Sequence, residues 1–190
     1  MTDLPEWMRP PRPEGWLAED LDHLPNAPRH IELIDGSLIL TMSPQRRWHM
    51  KIIGALQQRL AEQAPGGHEV DREMTVLLDP KNRPEPDLVV STTPYEGDQT
   101  WLPAQDVELV VEVVSPESEQ RDKKMKPAKY ADAGIRSMWI VEQEADDAVA
   151  VSVYELDDVT SAYTRTQVAR GTLKVDLPFP IEVDLTTLAP

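Results

Sequence analysis

Two acidic residues, Asp87 and Glu112, each stand in a largely apolar run. Glu112 lies within residues 107–115, which read as a central strand buried on both faces, and Asp87 lies at the start of residues 86–91. Burying a carboxylate is costly unless it is paired, hydrogen-bonded or bound to a metal ion. These positions therefore indicate a metal site, or, alternatively, a glutamate that only bonds a basic or backbone neighbour.

The spacing of the two acids suits a shared pocket. They are 112 − 87 = 25 residues apart, which is enough for a strand, a loop and a return strand. If the two strands are neighbours, both carboxylates point into one pocket. Two oxygen ligands completed by water is a common way of holding Mg²⁺, and Mn²⁺ is the alternative ion. A phosphodiester oxygen can complete the coordination shell of such an ion, which would polarise the phosphate and lower the pKa of a bound water.

A lysine follows this pair on the next predicted helix. Lys126 lies 126 − 112 = 14 residues after Glu112, where it could orient water or stabilise charge on the phosphate. By itself it would be one surface lysine among several. Asp122, four residues earlier, can pair with it on a helix. Pro127 fits without strain only if the helix begins near residues 124–126; otherwise it kinks the helix.

The N-terminal half supplies the first elements that must position these residues. Asp35-Gly36 between apolar runs predicts a hairpin over residues 30–42. Ser43-Pro44 then offers a helix N-cap and a first-turn proline. That helix ends at Pro65-Gly66-Gly67. Its predicted apolar face comprises Met50, Ile53, Leu56 and Leu60.

The rest of the chain predicts strands around one more helix. The strands are residues 69–78, 86–91, 107–115 and 137–142, followed by 148–156, 163–169 and 172–175, mostly antiparallel. A second helix lies within residues 119–133 and ends at Gly134. Alternation of Val149, Val151 and Val153 predicts one exposed sheet face. The order is helix, three strands, helix, strand, and it predicts an α/β (α+β) layered domain.

Composition narrows the class of protein further. The proline-rich residues 1–28 predict an extended arm whose Trp7 and Trp16 pack on a single domain of residues 29–190, with one helical turn at 17–21. The absence of cysteine excludes thiolate chemistry, and the four histidines lack metal-site spacing. Without an apolar span or a signal peptide, we expect a soluble, cytoplasmic protein.

Charge gives a mixed indication about partners. The net charge of -15 argues against broad non-specific nucleic-acid binding. Within residues 121–129, however, one acid accompanies five basic residues: Arg121, Lys123, Lys124, Lys126 and Lys129. This strip suits either an anionic substrate or an ordinary solvated helix face.

Several stretches, in this order and spacing, carry a family resemblance. They are Ile31–Gly36, Ser43-Pro44 with His49, Arg83–Asp87, Leu109–Pro116, Arg121-Asp122 with Lys126, and Tyr130–Gly134 with Trp139. Together they span residues 29 to 156 and resemble the Uma family of endonucleases, catalogued as a domain of unknown function, in the PD-(D/E)XK superfamily. The resemblance implies a restriction-endonuclease-like core with an N-terminal hairpin and additional C-terminal antiparallel strands.

The resemblance also implies roles for individual residues. Asp87 and Glu112 would bind the divalent ion, helped by the main-chain carbonyl of Val113, and Glu32 would be a third acid of the site. The superfamily's usual lysine falls two residues after the glutamate, where this chain has Val114. The Uma pattern takes its lysine from the following helix, and Lys126 matches it.

Three further residues carry interpretations of their own. His49 matches a family position, where it could meet phosphate or be structural. Tyr130 and Trp139 are interpreted as core residues because both fall in apolar periodic segments.

The leading hypothesis is an Mg²⁺-dependent endonuclease that hydrolyses phosphodiester bonds in DNA. One alternative is a catalytically inactive binding or assembly module on the nuclease fold, with residues 148–156 as a dimer edge. Another is a metal-dependent hydrolase of small phosphoesters. The resemblance implies a homodimer, and no sequence feature indicates cleavage specificity or separates DNA from RNA.

Overall fold

The computed structural model describes residues 5–24, 28–40, 45–94 and 96–188. The predicted cap at Ser43-Pro44, and the end of the first hairpin at residues 41–42, lie outside the described residues. The helices are α1 (Arg47–Gln63) and α2 (Lys126–Asp132). The strands are β1 (Ile31–Ile34), β2 (Ser37–Leu40), β3 (Glu69–Arg72), β4 (Thr75–Leu77), β5 (Leu88–Ser91), β6 (Trp101–Pro103), β7 (Val107–Val113), β8 (Ser137–Gln143), β9 (Val149–Asp157), β10 (Ala162–Ala169), β11 (Thr172–Val175) and β12 (Ile181–Asp184).

A six-stranded mixed sheet forms the centre, in the order β10-β9-β8-β7-β5-β3. Only β7 and β8 pair in parallel within it, because the chain between them crosses over through α2. The order α1, β3, β5, β7, α2, β8 confirms the predicted helix–three strands–helix–strand core.

The two helices cover opposite faces of this sheet. Helix α1 buries a face that packs against β7, β8 and the β11–β12 hairpin and comprises Trp48, Ile52, Ile53, Leu56 and Leu60. The predicted member Met50 is wrong, since it is 54% exposed. Because successive side chains of an α-helix are about 100° apart, Met50 points roughly 200° away from the buried Trp48. On the other face, α2 contributes Tyr130 to a cluster with Val110, Met138 and Ile140.

The prediction for β9 is wrong in two respects. Ala150 and Ser152 are only 5% and 7% exposed, so the face opposite the valines is buried as well. The alternation therefore reflects large and small side chains on two covered faces. In addition, β9 pairs with β8 and β10 along both sides, which leaves no free edge for a dimer at residues 148–156. The outer strands of this sheet are β10 and β3.

The predicted strand 69–78 is two strands. The chain turns at Glu73, whose φ is 55°, a left-handed value that ends β3. After the turn β4 leaves the main sheet and pairs in parallel with β6. Strands β6 and β12 were missed, because β6 has three residues and β12 pairs only with β11.

The N-terminal segment is hydrogen-bonded to the turn of the first hairpin. Asp35 and Gly36 both have positive φ, 50° and 73°, as a two-residue hairpin turn of this type requires. The Trp16 amide donates to the Gly36 carbonyl at 2.9 Å, and a Cβ at position 36 would lie 3.3 Å from the Trp16 carbonyl oxygen. Trp16 is buried with Ala18 and Leu33, whereas Trp7 is partly exposed.

A 3₁₀ turn at Ala18–His23 coincides with the predicted helical turn. Among the described residues, no helix is both long and apolar enough to cross a membrane.

Candidate active site

Strand register brings the two acids together. Leu88 of β5 pairs with Val111 of β7 in an antiparallel ladder, so Asp87 and Glu112 are the next pair along it. Asp87 Oδ2 accepts a hydrogen bond from the Val113 amide at 2.6 Å. This hydrogen bond from β7 to the residue before β5 thus holds the carboxylate of Asp87 beside that of Glu112.

Glu112 is almost completely buried, at 2% exposure, within a strand whose other acid, Glu108, is only partly buried. Its Oε1 accepts a hydrogen bond from the Tyr130 hydroxyl at 2.7 Å, and its Oε2 accepts one from Lys126 Nζ at 3.1 Å. Both donors come from α2, which lies over the face of β7 that carries Glu112. These bonds offset the cost of burying the carboxylate.

Lys126 enters the site from an unusual helix start. A π-helical turn, Arg121–Met125, precedes α2, and Pro127 follows within the first α-helical turn, where its missing amide costs nothing. The helix therefore begins where Pro127 requires. The side chain of Lys126 is buried, and its Nζ lies 3.4 Å from Asp122 Oδ1, which is the predicted i,i+4 pair.

Glu32 reaches the same lysine from β1. Its Oε1 lies 2.7 Å from Lys126 Nζ and accepts a hydrogen bond from the Glu85 amide at 2.9 Å. Arg121 Nε lies 3.9 Å from Glu32 Oε2. Lys126 thus has three carboxylates around it, from Glu32, Glu112 and Asp122.

His49 of α1 lies on the other side of Asp87. Its Nε2 is 3.4 Å from Asp87 Oδ1, while its Nδ1 is buried without a hydrogen-bond partner among the described residues. Burial opposes the charged imidazolium, but contact with Asp87 outweighs it and raises the pKa of His49. The Val113 backbone adds a smaller contribution in the same direction. His49 therefore borders the site and holds the oxygen of Asp87 that Val113 leaves free.

These residues line a cavity of about 380 Å³. Seven of the lining residues are acids (Glu32, Glu73, Glu85, Asp87, Glu112, Glu117 and Asp122), and three are lysine or arginine (Arg46, Arg121 and Lys126). The predicted residues Glu32, Asp87, Glu112 and Lys126 all face this cavity, and Val113 lies directly behind Asp87.

Burial and the neighbouring charges shift the pKa values of the groups that line the cavity. Burial raises the pKa of Glu112 well above its ordinary value; Lys126 opposes this shift, but Asp122, Asp87 and Glu32 reinforce it. Burial also raises the pKa of Asp122. For Lys126, burial is outweighed by Glu112, Glu32 and Asp122, so its pKa lies well above the ordinary value and it stays cationic.

The donor set suits a divalent cation in chemical type. The carboxylates outnumber the cations, and Mg²⁺ needs only one or two of them with water in the remaining positions. Among the described residues, no group of three histidine, aspartate or glutamate side chains is arranged as a metal cage. Instead Glu32, Glu112 and Asp122 are arranged around the ammonium of Lys126.

Sequence reasoning missed two contributors to the site. Tyr130 is a core residue, as interpreted, but its hydroxyl also bonds Glu112. Glu85 bonds Glu32 through its amide, and its carboxylate accepts from His30 Nδ1 at 2.6 Å. The available signal for Tyr130 was its position four residues after Lys126, on the same helix face. Trp139 is fully buried.

A sheet with this strand order, and with paired acids on adjacent strands under a lysine-bearing helix, defines a nuclease-like α/β fold. A crystal structure described as a putative nuclease belonging to DUF820, from Anabaena variabilis ATCC 29413, matches at a TM-score of 0.67. It is 18% identical, and the match covers 90% of this chain and 95% of that chain. This likeness shows the fold.

The family follows from the sequence match. The Uma2 family, described as "Putative restriction endonuclease", matches residues 18–188, and the chain belongs to this family. No protein of curated function matches the chain. Family and fold together support a nuclease.

Proposed function

We propose that this protein is an Mg²⁺- or Mn²⁺-dependent endonuclease that hydrolyses phosphodiester bonds in DNA. The observation that carries the proposal is the convergence of Glu32, Asp87, Glu112 and Lys126 in one acidic cavity. They come from a hairpin, two adjacent strands and a helix, and buried charged groups with shifted pKa values in a cleft are typical of functional sites.

Asp87 and Glu112 would hold the ion, with the Val113 carbonyl as a further oxygen ligand. When bound, the ion would polarise the scissile phosphate and lower the pKa of a water molecule. The chain's own contribution is preorganisation. The Val113 amide and His49 orient Asp87, and the Tyr130 hydroxyl and Lys126 orient Glu112. Glu32 would support the site by holding the ammonium of Lys126 in place.

Lys126 acts as a cation in this scheme. Because its pKa is raised, it carries a proton at neutral pH and cannot serve as a general base. Its ammonium can donate to a phosphate oxygen and stabilise the charge that builds up as water attacks. The near-complete burial of Lys126 and Glu112 strengthens this interaction, since bulk water does not screen them.

The direct test is cleavage of supercoiled plasmid DNA with Mg²⁺ or Mn²⁺, with EDTA as the blank. We expect nicked or linear product from the wild type and a loss of about a hundredfold or more in Asp87→Asn and Glu112→Gln. Both replacements keep the shape of the side chain, and Asp87→Asn keeps an acceptor for the Val113 amide. Asp158→Asn, an exposed acid on the β9–β10 turn, is the matched control and should cleave normally.

Activity that survives both site variants would remove this mechanism. The same proteins separate the alternatives. Cleavage of bis(p-nitrophenyl) phosphate without cleavage of DNA would favour a hydrolase of small phosphoesters. The absence of any metal-dependent cleavage would favour a binding module that keeps the nuclease fold.

A further inference from the structure

A second cavity, of about 350 Å³, shares no lining residue with the first. It lies between the helical segment 121–132 and the strands β8, β9 and β10. The residues that matter here are Lys123, Lys124, Met138, Ile140, Tyr154 and Tyr163. Its volume falls within the range of about 300–1,000 Å³ that is usual for ligand sites.

The two cavities flank one helical segment. Asp122 and Lys126 face the first cavity, whereas Lys124 and Ala128 face the second. At about 100° per residue within α2, Ala128 lies roughly 200° from Lys126. A helix with its side chains is about 10–12 Å across, so the cavities are separated by about that thickness.

Aromatic rings form one wall of the second cavity. Tyr154 and Tyr163 pack edge to face, with ring centroids 6.5 Å apart. The Tyr163 hydroxyl donates to the Ile135 carbonyl at 2.7 Å, which fixes that ring. Tyr154 is half-buried and presents part of its ring to the cavity above Met138 and Ile140. This wall offers an aromatic ring, held in place by its neighbour, on which another ring can stack.

Unpaired positive charge lies beside this wall. Lys124 is exposed and forms no ion pair with any described residue. Arg165, the cross-strand partner of Tyr154 on β10, also has none within the described ranges. Lys123 is already paired with Glu119 and Glu142, and Asp132 is the acid of the lining. In a chain of net charge -15, cations beside aromatic rings favour a ligand that is both aromatic and anionic.

We infer that this cavity binds one nucleotide unit of a single-stranded segment, with its base on Tyr154 and its phosphate at Lys124. The inference rests on the proposed function in taking nucleic acid as the partner. A duplex is too wide for a cavity of this size, whereas one unpaired nucleotide fits. Such a site would hold the strand beside the helix that carries Lys126, and would favour substrates with an unpaired flank.

The test is fluorescence anisotropy with a labelled ten-nucleotide oligothymidylate, at low salt and in EDTA so that cleavage cannot occur. We expect the wild type to bind. Tyr154→Leu should weaken binding about fivefold or more, since base stacking on an aromatic side chain is lost. Lys124→Ala should weaken it about threefold or more. Lys174→Ala, an exposed lysine of the β11–β12 hairpin, is the control and should bind as the wild type does. Circular dichroism checks that each variant is folded.

Two results overturn the inference: a wild type that does not bind the oligonucleotide, or binding that stays within twofold in both Lys124→Ala and Tyr154→Leu. Lys124 is exposed, so its replacement tests the site without threatening the fold. Failure here is distinct from failure of the proposed function. Binding lost in these variants without any metal-dependent cleavage supports the second cavity alone, whereas metal-dependent cleavage with unaltered binding supports only the first.

Discussion

The buried ammonium of Lys126 is shared by three carboxylates at 2.7, 3.1 and 3.4 Å, from Glu32, Glu112 and Asp122. One ammonium faces three buried carboxyl groups, and burial raises the pKa of two of them, Glu112 and Asp122. The divalent cation of the proposed function would draw on the same carboxylates as Lys126. The lysine holds them in place, and it also opposes the entry of a second cation into the same space.

This sharing predicts opposite effects of one substitution on two measurements. Lys126→Met removes the charge but keeps an unbranched chain of similar length. We expect the affinity for Mn²⁺, measured by calorimetry, to rise about tenfold, because one repulsive charge is gone. Plasmid cleavage should fall about a hundredfold, because the phosphate loses its cationic donor. Weaker Mn²⁺ binding by a folded Lys126→Met protein would show that the lysine does not compete with the metal.

Tyr130 offers a second test at the level of one atom. Tyr130→Phe removes the hydroxyl that donates to Glu112 Oε1 and leaves a buried carboxylate one hydrogen bond short. We expect the free energy of unfolding, from urea titration, to fall by about 1–3 kcal/mol. Tyr154→Phe is the matched control, because no hydrogen bond of the Tyr154 hydroxyl occurs among the described residues. Equal stability of the two variants would mean that the Tyr130–Glu112 bond contributes nothing.

At the scale of elements, Arg83 joins the N-terminal segment to the two-stranded sheet of β4 and β6. Its guanidinium is buried and bonds both carboxylate oxygens of Asp22, at 3.0 and 2.9 Å, and the Ala18 carbonyl. It also reaches Thr75 Oγ1 of β4 and the Thr100 carbonyl before β6. One side chain therefore links the 3₁₀ turn, β4 and β6.

This link predicts a pH-dependent loss of stability in Asp22→Asn. Burial raises the pKa of Asp22, but the bonds from Arg83 and Thr100 outweigh it and lower the pKa below 3.8. Because the folded pKa is depressed, the stabilisation is complete above the unfolded pKa and is lost as the pH falls through the folded value. We expect the variant to lose about 1–2 kcal/mol at pH 7, and the gap from the wild type to narrow below about pH 4. Urea titrations at both pH values check this, with Asp158→Asn as control; a gap that is the same at both would contradict it.

Local patterns predicted the elements that have strong local signals. Asp35-Gly36 predicted the hairpin, the proline and glycines after residue 64 predicted the end of α1, and Gly134 predicted the end of α2. The missed features depend on distant contacts. The turn at Glu73, which separates β3 from β4, follows from the pairing of β4 with β6. The burial of β9 on both faces follows from the elements that pack against it.

Part of the site was also predictable from local sequence patterns. Acids within apolar runs single out Asp87 and Glu112 from the sequence alone, because such burial has a cost. Glu32 and the displaced Lys126 required the family resemblance, since an acid in a hairpin and a lysine in a basic strip are ordinary by themselves. The role of the Tyr130 hydroxyl was missed because Tyr130 falls in an apolar periodic segment, and its ring is in fact part of the core.

At the scale of the whole molecule, the net charge of -15 opposes the approach of nucleic acid. Long-range repulsion opposes a polyanion, so binding must depend on local cations and, under the proposed function, on a metal ion held by the acidic cavity. The homodimer implied by the family resemblance stays a prediction. If it forms through the main sheet, β10 or β3 supplies the edge, because β9 is paired on both sides.

The most direct measurement is isothermal titration of the 190-residue protein with Mn²⁺. We predict a saturable heat of binding in the wild type and in Asp158→Asn, and its loss in Asp87→Asn and Glu112→Gln. A wild type that gives no heat, or an equal heat in Asp87→Asn, would contradict the claim that these two carboxylates hold the ion.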